Sequence, residues 1–288
     1  LGMHAQWIDE FHHALRVTAG EARKGYYKDF EGIESLAKAY KEAYVFNGNY
    51  STHRHQFFGS RTDGLEGQQF VVFSQNHDQT GNRMLGERSS HLYDFEMQKL
   101  MAFAVMVSPY VPLIFMGEEW ACAQPFQYFI SHSDRDLIEA VRKGRKSEFA
   151  DFHAEGSVPD PQSEETFESC KLKWKEQQKG QHATMLDYYS SLIHWRKSDA
   201  ILCALERGRL EADADEARHL LVLKRHGKTK ILNIVMNFSN REQQVALSEN
   251  LSEVALVFDT SAKVFDGPGV SSQNKHLIIP PHAGVAYY

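Results

Sequence analysis

Apolar residues follow two different patterns along the chain, and the change falls near residue 200. Before it, segments with apolar residues three or four positions apart predict helices, and short continuous apolar runs predict buried strands. After it, short segments of alternating apolar and polar residues are separated by turn residues, which is typical of antiparallel strands. The pattern therefore predicts two domains, residues 1–200 and residues 201–288.

The first region contains a strand, a helix and a second strand in succession. The strands are predicted at 69–74 and 111–116, with a helix at 93–107 between them. This order predicts a βαβ unit with parallel strands, and hence an α/β architecture. Further helices are predicted at 8–17, 33–45, 134–153 and 185–196, and loops at 47–67 and 158–167.

The second region has the pattern of a small all-β module. Two strands within residues 219–239 are joined by a turn at His226-Gly227-Lys228. Further strands are predicted at 243–247, 253–258 and 275–288. A module of this length is large enough to form a small antiparallel β-sandwich.

Composition and charge exclude several classes of partner. The chain has 288 residues, 42% of them hydrophobic, and a formal net charge of -6 without a basic block. We therefore expect neither nucleic acid nor an anionic membrane surface as a partner. The sequence contains no run of 18 apolar residues and no signal-peptide pattern, and its three cysteines are far apart. A cytoplasmic protein without disulfides, cofactor or metal is expected.

The beginning of the chain is unusual. Its first residue is Leu1 rather than methionine, and the opening LGMHAQW has no helix cap or leader. We expect the 288 residues to be a fragment of a longer protein.

Polar side chains gather where the predicted strands end. Asn76, His77 and Asp78 follow the first apolar run, and Glu118-Glu119 follow the second. In α/β barrels and open sheets, catalytic groups lie at the carboxyl ends of strands. Each group also has a structural alternative: a hydrogen-bonded pair at a strand end for His77 and Asp78, and loop shaping for the two glutamates.

Four motifs together resemble the α-amylase superfamily of glycoside hydrolases. AQWIDEFHHAL and EARKGYYKDF lie near the start, QNHDQTGNR follows FVVF, and FMGEEW follows VPLI. The Asn-His-Asp motif is moderately specific by itself, whereas the succession of DEFHH, GYYKDF, HDQTGNR and FMGEEW is narrower and is similar to the trehalose-releasing family within the superfamily. That family has Asp-Asp-Phe-His-His, whereas this chain has glutamate at position 10, and the longer acid could shift a sugar contact.

The resemblance implies the carboxyl-terminal part, about strands 6 to 8, of a (β/α)₈ barrel followed by a β-sandwich. It implies a retaining mechanism with two close carboxyls, supported by a third acid, which is Asp78 here. It also implies substrate contacts for eight residues: Asn76, His77, Gln79, Arg83, Asp9, Glu10, His12 and His13. A helix cap is the alternative for Asp9 and Glu10, and adjacent histidines do not have metal-ligand spacing.

By the same resemblance, the nucleophilic aspartate and the acid glutamate precede the region that this chain matches. Neither motif occurs in the sequence, so we expect the isolated chain to be inactive. The expected reaction is hydrolysis of the α-1,4 bond next to a terminal trehalose unit of a malto-oligosaccharide. A glucan branching enzyme, another α-amylase-type enzyme and a non-catalytic carbohydrate-binding fragment stay open. Because three parallel strands leave open edges, we expect self-association, pairing with the missing amino-terminal part, or a departure from the barrel geometry.

Overall fold

A computed structural model describes residues 2–150, 158–247 and 255–288. Its contacts divide the chain into two compact units. The first comprises Leu1–Ser74, Phe95–Leu113 and Asp187–Tyr288, and the second comprises Gln75–Asp94 and Ile114–Leu186. The carboxyl-terminal strands thus belong to the same unit as the amino-terminal elements. The domain boundary expected near residue 200 stays a prediction.

The described residues contain α-helices and strands in an order that agrees broadly with the sequence patterns. The helices are α1 Asp9–Thr18, α2 Ile33–Glu42, α3 His77–Gly81, α4 Ser89–Leu92, α5 Phe95–Met106, α6 Arg135–Ala150, α7 Glu164–Ser169 and α8 Gly180–Ser198. The strands are β1 Gln6–Trp7, β2 Asn47–Ser51, β3 Gln56–Gly59, β4 Phe70–Val72, β5 Val111–Pro112, β6 Leu210–Asp215, β7 Leu220–His226, β8 Ile231–Asn237, β9 Gln243–Ala246, β10 Leu256–Asp259, β11 Ser271–Gln273, β12 His276–Ile279 and β13 Ala283–Tyr287.

A three-stranded parallel sheet lies in the first unit, in the order β1-β4-β5. Val71 pairs with Trp7 on one side and with Val111 on the other. The predicted parallel βαβ unit, β4-α5-β5, is therefore present. The second strand is much shorter than the predicted 111–116, because Pro112 has no N–H to donate and the pairing ends with a single bond from Leu113 N to Val72 O.

The segment between α2 and β4 differs from its prediction. Helix α2 was expected to reach residue 45 but ends at Glu42, because Ala43 has a φ of +67°. The predicted loop at 47–67 contains an antiparallel hairpin, β2-β3. Its strand residues are mostly polar, so the apolar pattern did not reveal them.

The carboxyl-terminal strands form two antiparallel sheets, a five-stranded β10-β13-β8-β7-β6 and a three-stranded β11-β12-β9. A shared core of buried apolar residues includes Leu220, Val235, Leu277 and Val285. The predicted turn between β7 and β8 is confirmed, with a hydrogen bond of 2.9 Å from Gly227 N to Lys230 O. Strands β6 and β11 were not predicted, and residues 253–254 of one predicted strand lie outside the described residues.

Buried cations connect the helices of the first unit to neighbouring main-chain carbonyls. Arg196 and Arg225 donate to carbonyls at and just beyond the end of α5. Lys99 is fully buried and donates to the carbonyl of Phe265 at 2.7 Å, while it pairs with Glu96 at 2.9 Å. These contacts attach the antiparallel strands to α5 within this unit.

The second unit contains α3, α4, α6 and α7. The helix predicted at 134–153 is observed as α6, and residues 151–153 lie outside the described part. The predicted loop at 158–167 contains the start of α7 at Glu164. No helix among the described residues is long and apolar enough to cross a membrane.

Candidate active site

The Asn-His-Asp motif lies at the beginning of the short helix α3. Asn76 is its N-cap residue, with extended backbone and a side-chain oxygen that accepts from Gln79 N at 2.8 Å. This side chain is buried, with 1% exposure. Asn76 therefore fixes the start of α3, since asparagine is favoured at the N-cap position. The two residues that follow it are exposed.

His77 and Asp78 are the exposed part of the motif. Their side chains are 53% and 61% exposed, and His77 Nε2 lies 3.3 Å from Asp78 Oδ1. The carboxylate of Asp78 is therefore accessible to a ligand. A protonated His77 forms an ion pair with it, and a neutral one can donate a hydrogen bond to it.

Gln79 and Arg83 continue the motif on the same segment. Gln79 is half-buried, and its N–H donates to the Asn76 cap. Arg83 is also half-buried, and its Nε lies 3.7 Å from a carboxylate oxygen of Glu87. The structure thus places five predicted site residues within one segment of the second unit, made of helix α3, its N-cap and the residues just after it: Asn76, His77, Asp78, Gln79 and Arg83.

Main-chain contacts from other parts of the second unit support this segment. Arg145 of α6 donates to the carbonyl of Gly81, the last residue of α3, at 3.0 Å. Gly86 N–H donates to Arg83 O, and Gly86 O accepts from Phe126 N at 2.8 Å. A Cβ at Gly86 would lie 2.5 Å from the Phe126 carbonyl carbon, and its φ is +66°. Only glycine fits at this close approach.

Arg88 is a residue of this region that the sequence analysis missed. It is 1% exposed, and it donates to Gln124 O at 2.7 Å and to Met116 O at 2.8 Å. Burial lowers the pKa of its guanidinium, although Cys122 and Glu118 counteract that effect. The sequence around Arg88 does not distinguish a buried arginine from an exposed one, because the carbonyls that accept its hydrogen bonds are distant in sequence.

Glu118 shapes a loop in the second unit. Its carboxylate accepts from Phe115 N at 3.1 Å, and it is buried. Gly117 before it has a φ of +86°, and a Cβ there would lie 2.9 Å from Cys122 Cβ. These contacts agree with a role of Glu118 in shaping the loop.

The remaining predicted substrate contacts lie in the first unit, on helix α1. Asp9 is the exposed first residue of α1. Glu10 accepts from the N–H groups of Val45 and Phe46 at 2.6 and 2.7 Å through one carboxylate oxygen. Burial raises the pKa of its carboxyl, an effect that the two N–H donors reduce. Glu10 thus orders the chain between α2 and the hairpin.

His12 and His13 are held by protein groups. His12 is 2% exposed, and its Nδ1 lies 2.7 Å from the carbonyl oxygen of Ser74, so Nδ1 carries the proton and donates. Its Nε2 lies 3.4 Å from Tyr27 Oη. His13 lies among the rings of Tyr26, Tyr27 and Phe30, with centroid distances of 4.9 to 5.2 Å. Both imidazole rings are thus held by contacts within the first unit.

Among the residues that the structure describes, the charged groups do not form a metal centre. No group of three or more histidine, cysteine, aspartate or glutamate side chains suited to a metal ion occurs among residues 2–150, 158–247 and 255–288. The chemistry available at Asp78 is that of an exposed carboxylate beside an imidazole, which suits hydrogen bonding to sugar hydroxyls.

Solved structures with a similar fold include proteins described as α-amylases and pullulanases. A Salmonella typhimurium protein assigned as an α-amylase superposes with a TM-score of 0.82 at 30% identity, and the match covers 98% of this chain and 46% of that chain. A pullulanase from Paenibacillus barengoltzii matches with a TM-score of 0.57 at 15% identity, over 98% of this chain and 38% of its own, which shows a similar fold alone. The chain is therefore similar in sequence and fold to members of the α-amylase superfamily of glycoside hydrolases.

Within that superfamily, the similar curated relatives are malto-oligosyltrehalose trehalohydrolases. The Saccharolobus solfataricus enzyme is 43% identical over 199 residues, which are 69% of this chain and 34% of the relative. A Mycobacterium tuberculosis enzyme is 37% identical over 227 residues, 78% of this chain and 39% of its own. The chain thus spans between a third and two fifths of these relatives. No protein-family model matches it.

Proposed function

We propose that this chain is part of a retaining glycoside hydrolase of the malto-oligosyltrehalose trehalohydrolase type. The reaction is hydrolysis of the α-1,4-glucosidic bond next to the terminal trehalose unit, which releases trehalose. The observation that carries the proposal is the exposed carboxylate of Asp78 at the capped start of α3, in a chain 36–43% identical to enzymes with that name.

The proposed architecture is the end of a (β/α)₈ barrel. Strands β1, β4 and β5 are the sixth, seventh and eighth barrel strands, and they are parallel and adjacent in that order. The two antiparallel sheets form the β-sandwich that follows the barrel. Asp78 follows β4 in the chain, as catalytic groups follow barrel strands at the carboxyl face.

Asp78 has the role of the third acid in this proposal. Its carboxylate accepts charge-assisted hydrogen bonds from the hydroxyls at C2 and C3 of the sugar, and these bonds strengthen as the ring distorts towards the oxocarbenium-like transition state. His77 donates to the same hydroxyls from its exposed position 3.3 Å away. A preorganised group of this kind accounts for a factor of about 10² or more in kcat.

The other two carboxyls of the retaining mechanism come, in this proposal, from polypeptide outside the 288 residues. The nucleophile attacks the anomeric carbon, and the acid protonates the leaving oxygen and later deprotonates the attacking water. An edge of the parallel sheet is suited to receive further strands, since β1 is an outer strand of that sheet among the described residues and both of its residues are exposed. Pairing with that polypeptide, or self-association, covers this edge.

The test compares the 288-residue chain with a longer polypeptide that includes the upstream barrel strands. With maltotriosyl-trehalose as substrate, the longer protein should release trehalose and maltotriose, and the isolated chain should not. Asp78→Asn in the longer protein should lower kcat about 100-fold or more with an unchanged melting temperature. Asp63→Asn is the control, because its side chain is 72% exposed and pairs only with exposed Arg61 among the described residues.

Several outcomes would contradict this proposal. Trehalose released at an enzymatic rate by the isolated chain would refute the assignment of the other acids, and full activity of Asp78→Asn would refute the role of Asp78. Transfer of glucan chains without trehalose release would favour a branching enzyme. Sugar binding without any turnover by the longer protein would favour a carbohydrate-binding function.

A further inference from the structure

A polar cavity of about 460 Å³ lies in the first unit beside helix α2 and the hairpin β2-β3. We call it the hairpin cavity. Six charged residues line it, three cationic and three anionic: Arg23, Lys28, Lys38, Asp29, Glu31 and Glu34. Its size falls within the range of small-molecule sites. Because the charges balance, the cavity selects neither an anion nor a cation and suits a neutral polar ligand.

Tyr50 supplies an aromatic surface at this cavity. It lines the hairpin cavity and is 50% exposed. Its ring packs edge-to-face against Phe57 of the other hairpin strand, with centroids 5.6 Å apart. An exposed aromatic ring held in one orientation can cover the apolar face of a pyranose, while its hydroxyl stays available for hydrogen bonds.

Hydrogen-bonding groups in the same cavity are available to a ligand. Among the described residues, the carboxylates of Glu31 and Glu34 make no hydrogen bond or ion pair, and both residues are exposed. Asn49 also lines the cavity; its side-chain oxygen accepts from Asn47 N, and its amide donors have no protein partner among the described residues. Carboxylates and amides beside an aromatic ring are the groups that bind several sugar hydroxyls at once.

The wall that contains Tyr50 is fixed at both ends of strand β2. At one end, the Asp29 carboxylate accepts from Ser51 Oγ, Thr52 Oγ1 and the N–H of His53. At the other end, Glu10 holds the N–H groups of Val45 and Phe46. A wall ordered before binding reduces the entropy cost of holding a ligand.

From these features we infer that the hairpin cavity binds a neutral oligosaccharide, namely a short α-glucan, at a site that does not include Asp78. The neutral sugar chemistry rests on the cavity, whereas the choice of an α-glucan rests on the proposed function. This site adds a second sugar contact to the chain beyond the catalytic one.

Calorimetric titration of the 288-residue chain with maltotriose tests this inference. Binding should be measurable at sugar concentrations up to about 10 mM. Tyr50→Ala should weaken it about tenfold, because it removes the aromatic contact with the sugar. Glu34→Gln should weaken it severalfold, because it replaces a charged hydrogen-bond acceptor with a neutral one. Phe167→Ala, an exposed aromatic outside the cavity, should leave binding unchanged, and Asp78→Asn is titrated alongside because it removes the proposed catalytic sugar contact. Equal melting temperatures confirm that the variants are folded.

The results that would overturn the inference are separate from those that concern catalysis. Equal affinity of wild type and Tyr50→Ala, absence of maltotriose binding, or tighter binding of glucose 6-phosphate than of maltotriose each refutes the site or its neutral ligand. Binding lost only in Asp78→Asn assigns the sugar to the catalytic segment and refutes the hairpin cavity. Tyr50-dependent binding in a protein whose longer form shows no hydrolysis supports the cavity and refutes the proposed function.

Discussion

Arg196 should be essential for the stability of the first unit, and Arg196→Met tests this. The guanidinium belongs to α8, is buried, and donates to three carbonyls: Met106, Ser108 at 2.9 Å and Tyr110 at 2.6 Å. These carbonyls lie at and just after the end of α5, where a helix leaves acceptors without intrahelical partners. Methionine has a similar length and no donor.

Two opposing contributions set the size of the effect. Each hydrogen bond from a charged donor contributes about 1.5–3 kcal/mol, so the loss of three costs about 4–9 kcal/mol. Burial lowers the pKa of the Arg196 guanidinium to about 10, which corresponds to about 3 kcal/mol of desolvation that the substitution relieves. Arg225 retains a bond to Ser108 O at 3.3 Å, which lessens the loss. We expect a net decrease of about 3 kcal/mol in the free energy of unfolding.

Urea denaturation followed by circular dichroism measures this change. The midpoint should fall by about 1 M or more at a similar slope. Arg209→Met is the matched control, because Arg209 is 51% exposed and pairs with exposed Glu206, and it should change the unfolding free energy by less than about 0.5 kcal/mol. A decrease below about 1 kcal/mol in Arg196→Met, or equal effects of both substitutions, would show that the carbonyl contacts contribute little.

Three further predictions concern the hairpin and helix α6. Gly59→Ala should destabilise by about 2 kcal/mol or more in thermal melts, because its Cβ would lie 1.9 Å from Phe46 O and its φ is +78°. Gly144→Ala, at an open position inside α6, should instead stabilise by up to about 1 kcal/mol, and equal shifts would contradict both. Burial raises the pKa of Asp29, but bonds from Ser51 and its neighbours lower it overall below 3.8. Its stabilising contribution is therefore present above the ordinary aspartate pKa of about 4 and is lost as the pH falls through the lowered pKa. Hairpin amide signals in NMR spectra should therefore shift only when the pH falls below that ordinary pKa, and they should not shift in Asp29→Asn.

The elements with strong apolar periodicity could be predicted from the sequence. The helices observed as α1, α5 and α8 and the paired strands β7 and β8 lie close to their predicted positions, because their apolar residues repeat at helical or alternating spacing. The order of β4, α5 and β5 also predicted parallel pairing, which the register confirms.

Other elements have little apolar pattern and were missed. The hairpin β2-β3 is largely polar, and it depends on acceptors from elsewhere in the first unit, Glu10 and Asp29. Strand β11 is fully exposed and is defined by its pairing with β12. Pairing with a distant strand can fix such a segment without any local signal.

For the candidate site, the sequence identified the motif but not which of its side chains are buried and which are exposed. Asn76, His77 and Asp78 are adjacent in QNHDQTGNR, yet Asn76 is buried as a helix cap while the other two side chains are exposed. Similarly, His12 and His13 are neighbours, but His12 is bonded to Ser74 O and His13 lies among aromatic rings. These differences arise from partners that are distant in sequence.

The sequence by itself determined the types of most elements, the parallel βαβ order and the position of the chemical motif, because each depends on the spacing of residues near one another in the chain. The tertiary structure alone decided which polar groups are buried, where helix α2 ends, and which side chains line the hairpin cavity. Hydrogen bonds such as those of Glu10, Arg88 and Arg196 join carbonyls or N–H groups at least 28 positions away. Since local patterns carry no information on such partners, only the folded chain specifies them.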